Sequence, residues 1–240
     1  MGLASMYDSH INANEVKGFV RDSFRGHEDA FDLMFSKGQV LAFGGVPRDL
    51  LFFEKPTRDL DLVVTGLTND SLAKIFSRIL IRRTRFGGLQ CLLKRKRFLD
   101  IWSLEETWAF KKRILSPTIE NLPLSVFLTT DAVVVDLKTG RLIESNFITY
   151  TFEKRRIEIV LEENPFPALC VLRAFVHRNK YDLGLSDRLQ HYIHDFVINS
   201  DDPISQVVAA QKAHYSHDIL PKSQLSVELR HFSRRLKNVI

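Results

Sequence analysis

Asp59 and Asp61 lie one residue apart in RDLDLVV (58–64). The segment alternates polar and apolar residues and then turns apolar, as a half-buried strand does. Side chains at i and i+2 of a strand share a face. The two carboxylates therefore project side by side while Leu60 and Leu62 face a core. Carboxylates that close repel each other unless a cation lies between them. Oxygen ligands of this kind suit Mg²⁺, which keeps several waters and also takes substrate phosphates. Mn²⁺ is the alternative ion. A lone D-x-D is more often a solvated strand face than a metal site.

Upstream, QVLAF (39–43) reads as a short strand running into Gly44-Gly45, and VPRDLLFF (46–53) reads as a helical turn. Glycines there let backbone N–H groups approach a phosphate with no Cβ in the way. The helix N-terminus favours the same anion. Arg48 adds a permanent positive charge suited to phosphate oxygens, and Asp49 either fixes the arginine or caps the helix. A third acid sits in FLDIWSL, which puts Phe98, Asp100 and Trp102 on one strand face and Leu99, Ile101 and Ser103 on the other. An Asp in the middle of an apolar strand is costly to bury unless it pairs or binds metal. If that strand lies beside 58–64, Asp100 completes a three-carboxylate site. Two Mg²⁺ ions held so would activate an attacking oxygen and stabilise a leaving pyrophosphate.

GG-x-x-RD followed by D-x-D resembles the head of the class II tRNA CCA-adding enzymes and bacterial poly(A) polymerases, within the polymerase-β-type nucleotidyltransferase superfamily. The similarity covers roughly 39–190. KRFLDIWSL sits where the family has the strand with its third acid. DAVVVDLKTGRLIE is similar to the family's hairpin N-A-L-A-x-D…T-G-x-L-I-D, and VLRAFVHRNKYDLGLS to its L-R-A helix. The resemblance implies an α+β fold: a polymerase-β-like nucleotidyltransferase head, with a mixed sheet and flanking helices, and then an all-α neck. It implies transfer of a nucleoside monophosphate from an NTP to an acceptor hydroxyl. Asp59, Asp61 and Asp100 would be the catalytic metal ligands. Gly44, Gly45, Arg48, Asp49, Thr129 and Asp131 would bind the nucleotide.

Two departures stand out. The family's R-R-D-F-T-I-N reads SVFLTTD (125–131) here, with Asp131 in the Asn position and Thr129 surviving. The base-reading E-D-x-x-R falls in ENPFPALCVLRA, with the acid on Asn164 or Pro167 and the arginine on Pro167 or Cys170, depending on register. The phosphate and metal half of the pattern is present and the base-reading pair is not. At this length the expectation is a head and a short neck, without the body and tail that grip tRNA.

The surrounding elements must position these groups. Residues 13–36 show helical spacing of Val16, Phe19, Val20, Phe24, Phe31 and Met34. Thr68-Asn69-Asp70 offers caps for a helix at about 70–80. IRRTRF, LQCLLKRKR and FLDIWSL read as successive strands, the first two broken by Gly87-Gly88, and 105–113 as a short helix. After Pro165 four segments carry helical periodicity, with Ser186 and Ser205 as caps. The division expected is a head over 1–160 and a helical neck-like domain over 161–240.

Composition bounds the rest. The chain has 240 residues, 45% hydrophobic and 26% charged, which excludes wholesale disorder. No apolar run approaches the ~20 residues that span a bilayer. MGLASMYDSHINANEV lacks the pattern of a secretory signal, and Ser5 sits one position early for myristoylation. Cys91 and Cys170 read as reduced thiols of a cytoplasmic protein. The net charge is +5, yet Arg78 to Arg97 alone carries eight basic residues and no acid, so the rest of the chain is slightly acidic. That segment is either a solvated face or a phosphate-contacting one. Arg82, Arg83, Arg85, Lys94 and Lys96 are the residues expected to meet an RNA acceptor, its 3′ end favoured, with tRNA among the options. A protein or small-molecule acceptor, or a non-catalytic RNA- or nucleotide-binding module, are the alternatives. His191–His194 and His214–His217 read as helix-surface pairs, and Arg188 with His194 matches a ribonuclease spacing only by chance. The oligomeric state is open.

Overall fold

Alternating apolar residues between glycine-marked turns build a seven-stranded mixed sheet with helices against it. The computed structural model describes residues 13–53, 59–84, 86–143, 146–215 and 217–234. In chain order come α1 (Ala13–Ser23), α2 (Glu28–Lys37), β1 (Gln39–Phe43), α3 (Gly45–Phe52), β2 (Leu60–Thr65) and α4 (Asn69–Ile75). Then follow β3 (Leu80–Arg83), β4 (Leu89–Leu93), β5 (Arg97–Ser103), α5 (Trp108–Lys111), β6 (Val134–Asp136) and β7 (Leu142–Ile143). The sheet order is β3-β4-β5-β2-β1-β6-β7. β2 and β5 run parallel, and every other neighbouring pair is antiparallel.

Strand alternation sorts the side chains. Ala42, Leu60, Leu62, Leu89, Leu99 and Ile101 point to one face and join Val20, Phe24, Met34 and Leu72 of the helices in one core. Each such Leu, Ile, Val, Met or Phe side chain, fully buried, contributes about 1.5–3 kcal/mol. The opposite face carries Phe43, Asp61, Val63, Asp100 and Trp102, as register dictates.

The long helix expected over 13–36 is two helices. The chain turns at 24–26, where Gly26 takes a left-handed φ of 83°. Phe24 and Phe31 still meet at 5.1 Å between ring centres, so the apolar face continues past the break and its spacing looks uninterrupted in sequence. The helix expected at 70–80 ends at Ile75. Its cap is Thr68, whose Oγ1 accepts from the Ser71 N–H. The strand expected through LQCLLKRKR stops at Leu93, and Lys94–Lys96 make a 3₁₀ turn with Lys96 left-handed. The helix expected at 105–113 is the single turn α5 after a 3₁₀ turn at Leu104–Glu106. The DAVVVDLKTGRLIES hairpin forms as β6–β7, its last two residues lying outside those described. Asp136, buried at its turn, accepts from the Lys138 N–H and from Thr139 Oγ1.

Contacts divide the chain into two compact units, Met1–Val126 with Thr130–Thr149, and Phe127–Thr129 with Tyr150–Ile240. The chain passes between them within a helix that sequence periodicity did not indicate, α6 (Asn146–Lys154). The second unit holds β8 (Arg156–Ile157), α7 (Pro167–Tyr181), β9 (Gly184–Leu185), α8 (Asp187–Asn199), α9 (Pro203–Tyr215) and α10 (Lys222–Arg234). β8 and β9 pair in parallel. Leu172, Phe175, Ile193, Val207, Leu225 and Phe232 are buried there. Arg178 Nη1 donates to Glu228 Oε2 at 3.1 Å, tying α7 to α10. Ser186 caps α8. At α9 the cap is Asp202 rather than Ser205: its carboxylate accepts from the Ser205 N–H, because the helix begins at Pro203. Among the described residues no helix is long and apolar enough to cross a membrane.

Candidate active site

The parallel register of β2 and β5 sets Asp61 opposite Asp100. Asp59, just before β2, is exposed, whereas Asp61 and Asp100 are half-buried. Burial pushes the Asp100 carboxyl above the usual carboxylate range. The Gln90 hydrogen bond and the Arg82 charge pull it back, and the Asp59 charge adds to the push. The strand pairing thus brings Asp61 and Asp100 together, with the Asp59 charge near enough to act on Asp100. Among the described residues no three such side chains converge closely enough to enclose a metal ion.

The glycine turn lies at the end of the neighbouring β1. Gly44 has φ 66° and ψ −109°, a region closed to residues with a Cβ, and its N–H donates to Val133 O at 2.8 Å. α3 begins at Gly45 with no side-chain cap. Arg48 N–H already closes the first helical turn on Gly44 O, and Pro47 has no N–H. The backbone donors at this helix start are therefore those of Gly45 and Val46. A Cβ at Gly45 would meet the Arg48 guanidinium at 3.5 Å, so the arginine stands beside the turn.

Arg48 is buried. Its Nε donates to Asp49 Oδ1 at 2.8 Å, its Nη1 to Asp131 Oδ1 at 2.8 Å and to Thr130 O at 3.4 Å. Of the two roles open for Asp49, the structure shows the one that fixes the arginine. Thr129 belongs to the second unit. There its Oγ1 accepts from Thr151 Oγ1 at 2.6 Å and from the Glu158 N–H at 3.1 Å.

The basic segment does not form one face. Arg82 lies on the acid face, paired in register with Gln90. Arg83 lies on the other face and bonds Asp70 at 2.5 Å. Lys94 brings its ammonium over Gly26. Lys96 is exposed in its turn, and Arg85 lies outside the described residues. Gln90 was not singled out in the sequence. Its signal was there: a lone amide in LQCLL, in phase with Asp100 once 89–93 and 97–103 pair as a hairpin. On the same face Trp102 meets Phe43 edge to face at 5.9 Å. At the positions aligned with the family's base reader, Asn164 Oδ1 accepts from the Phe166 N–H, Pro167 opens α7 and Cys170 is buried.

No protein-family model and no curated protein sequence matches this chain. Solved structures do. A CCA-adding enzyme in complex with CTP superposes with a TM-score of 0.60 at 18% identity, over 89% of this chain and 50% of that one. A tRNA nucleotidyltransferase complexed with a primer tRNA and an incoming ATP analogue gives 0.58 at 18%, over 88% and 62%. The Thermotoga maritima CCA-adding enzyme complexed with tRNA gives 0.54 at 16%, over 95% and 62%. The fold is therefore the α+β nucleotidyltransferase fold of these proteins, and this chain spans about half the length of the first of them.

Proposed function

We propose that this chain is a Mg²⁺-dependent nucleotidyltransferase that moves a nucleoside monophosphate from an NTP to an acceptor hydroxyl, with an RNA 3′ end as the favoured acceptor. The observation that carries the reading is the rung shared by Asp61 and Asp100, with Asp59 just before β2 and the Gly44-Gly45 turn at the end of the adjacent strand. The donor set fits Mg²⁺: all three groups are carboxylates, and the ion commonly binds through one or two of them plus substrate phosphates rather than in a closed protein cage.

Asp61 and Asp100, which share a rung, would hold the ion, with Asp59 as the third carboxylate nearby. When bound, it supplies charge to polarise the reacting phosphoryl group and to lower the cost of an acceptor alkoxide and a leaving pyrophosphate. The chain's own residues do the rest. The N–H groups of Gly45 and Val46, at the positive end of α3, receive phosphate oxygens. Arg48, fixed by Asp49 and Asp131, holds the turn in shape. Asp100, with its raised affinity for a proton, is the carboxylate best suited to take one from the acceptor hydroxyl. Phe43 and Trp102 supply an apolar wall beside it.

A second reading rests on one observation. Pro167 and Cys170 put no base-reading acid and arginine pair on α7, so a protein or small molecule is the alternative acceptor. A retired, purely binding head is the third. Incubation with each labelled NTP, Mg²⁺ or Mn²⁺, and total cellular RNA and protein separates them. Label in RNA, lost in Asp59→Ala with the fold intact, supports the proposal. Label in protein moves the acceptor, and no label with metal-independent NTP binding overturns catalysis.

A further inference from the structure

We infer that Gln90, oriented by Arg82, is a positioning residue that fixes the Asp100 carboxylate for cation binding. This rests on the transferase reading above and assigns a role to two side chains that it leaves unused.

The geometry is a row across three strands. β3 sets Arg82 opposite Gln90, and β4 sets Gln90 opposite Asp100. Arg82 Nε donates to Gln90 Oε1 at 3.0 Å, and Gln90 Nε2 donates to Asp100 Oδ1 at 3.0 Å. A guanidinium has only donors and a carboxylate only acceptors. The amide therefore has one allowed orientation, oxygen toward Arg82 and nitrogen toward Asp100. A flip would set donor against donor at one end and acceptor against acceptor at the other. Both bonds are charge-assisted, and each polarises the other.

The consequence falls on Asp100. With Oδ1 held by the amide, the carboxylate cannot turn about its last bond without losing that hydrogen bond. Among the described residues Oδ2 accepts no protein hydrogen bond. One oxygen is thus fixed by the protein and the other is presented from the rung that Asp100 shares with Asp61. A half-buried amide in the apolar run LQCLL is costly unless both of its ends are satisfied, and among the described residues its partners are Arg82 and Asp100, the ones this role requires.

The test uses Mn²⁺ alone, titrated into the full chain and followed by the loss of its free electron-spin resonance signal. Gln90→Met keeps the side chain's length and removes both hydrogen bonds. It should weaken Mn²⁺ binding about 10–100-fold, the usual effect of removing a partner of a ligating group, with an unchanged unfolding midpoint. Arg82→Ala frees the amide to flip and should also weaken Mn²⁺ binding, by less than Gln90→Met does. Turnover, measured in parallel, should fall in kcat with the NTP KM unchanged. Equal Mn²⁺ affinity in wild type and Gln90→Met overturns the inference, as does a wild type that binds no Mn²⁺. Arg82→Ala with full Mn²⁺ affinity and a raised acceptor KM overturns the part given to Arg82. The transferase reading fails separately, in a wild type that binds Mn²⁺ and labels neither RNA nor protein.

Discussion

Arg48 and Asp131 form a buried ion pair at 2.8 Å between residues 83 apart in the chain. It joins the first turn of α3 to the segment that leads into β6. Asp49 holds the same guanidinium from its other edge. The arginine that the sequence pattern offers to a substrate is thus also a structural tie of the turn that would receive the phosphates.

Removing Arg48 should therefore be a folding lesion before it is a binding one. Arg48→Ala takes the guanidinium away from two buried carboxylates, a change that typically costs about 3–5 kcal/mol. That is a large share of the ~5–15 kcal/mol that holds a native domain together. Arg48→Lys should recover only part of the loss, because an ammonium cannot bond both carboxylates as a planar fork does. Urea unfolding measures both. A cost below about 1 kcal/mol for Arg48→Ala would show that the tie carries no stability.

The two glycines should separate fold from substrate. At Gly44 space is not limiting, since a Cβ would come no nearer than 3.9 Å to Asp131 O. Its φ and ψ are limiting, so Gly44→Ala should cost roughly 1–3 kcal/mol in unfolding. Gly45 has no such constraint, and its Cβ would make an ordinary contact with Arg48. Gly45→Ala should unfold like the wild type and bind NTP about tenfold more weakly, because its methyl occupies the approach to the N–H groups. Calorimetry with an NTP reads the second effect, and unchanged affinity in Gly45→Ala would remove this turn from the phosphate site.

Much of the sheet was legible because period-two alternation is local. Leu60 and Leu62 against Asp59 and Asp61, and Leu99 and Ile101 against Asp100, assign faces with no knowledge of partners. What joins the strands is not local. Nothing in 97–103 says that β5 lies parallel to β2, so the meeting of Asp61 and Asp100 was a condition in the sequence and a fact only in the fold. The same limit hid Gln90, whose role exists only through its neighbours on both sides. The break at Gly26 was masked by Phe24 and Phe31, which keep one face apolar across it. The fates of Arg83 and Lys94 depend on Asp70 and on the Gly26 turn, partners that charge counting along the chain cannot see.

Asp100 should show opposed effects on stability and activity. Burial and the Asp59 charge both disfavour its ionised form. Asp100→Asn removes that cost, keeps an acceptor for Gln90, and should abolish transfer while raising stability in metal-free buffer at pH 7. The sign with pH follows from the raised pKa. Below the usual carboxylate range the wild-type group is protonated both folded and unfolded, so the two proteins should unfold alike near about pH 3. The difference should open as pH rises through that range. A wild type more stable than Asp100→Asn at pH 7 without metal would mean that the carboxylate is stabilised by its surroundings.

Cys91 supplies the alkaline counterpart. It lies on the core face of β4 with no exposed surface, and burial, helped by the Asp100 charge, pushes its thiol up to about 12. The thiolate is the reactive form, so the folded protein should resist iodoacetamide at pH 8 at both buried cysteines and react fully only when unfolded. The pKa is raised in the folded state, so the penalty is absent below the unfolded value near 8.5. Above it the unfolded thiol ionises while the folded one keeps its proton. Stability should then fall as pH rises, by up to about 1.4 kcal/mol per pH unit until the folded thiol titrates. Cys91→Ala should lose stability overall through the cavity it leaves, yet its stability should decline less steeply between about pH 9 and pH 11. Equal alkaline slopes in the two proteins would assign the loss to other groups, and fast alkylation of folded Cys91 would show that β4 opens to solvent on the timescale of the reaction.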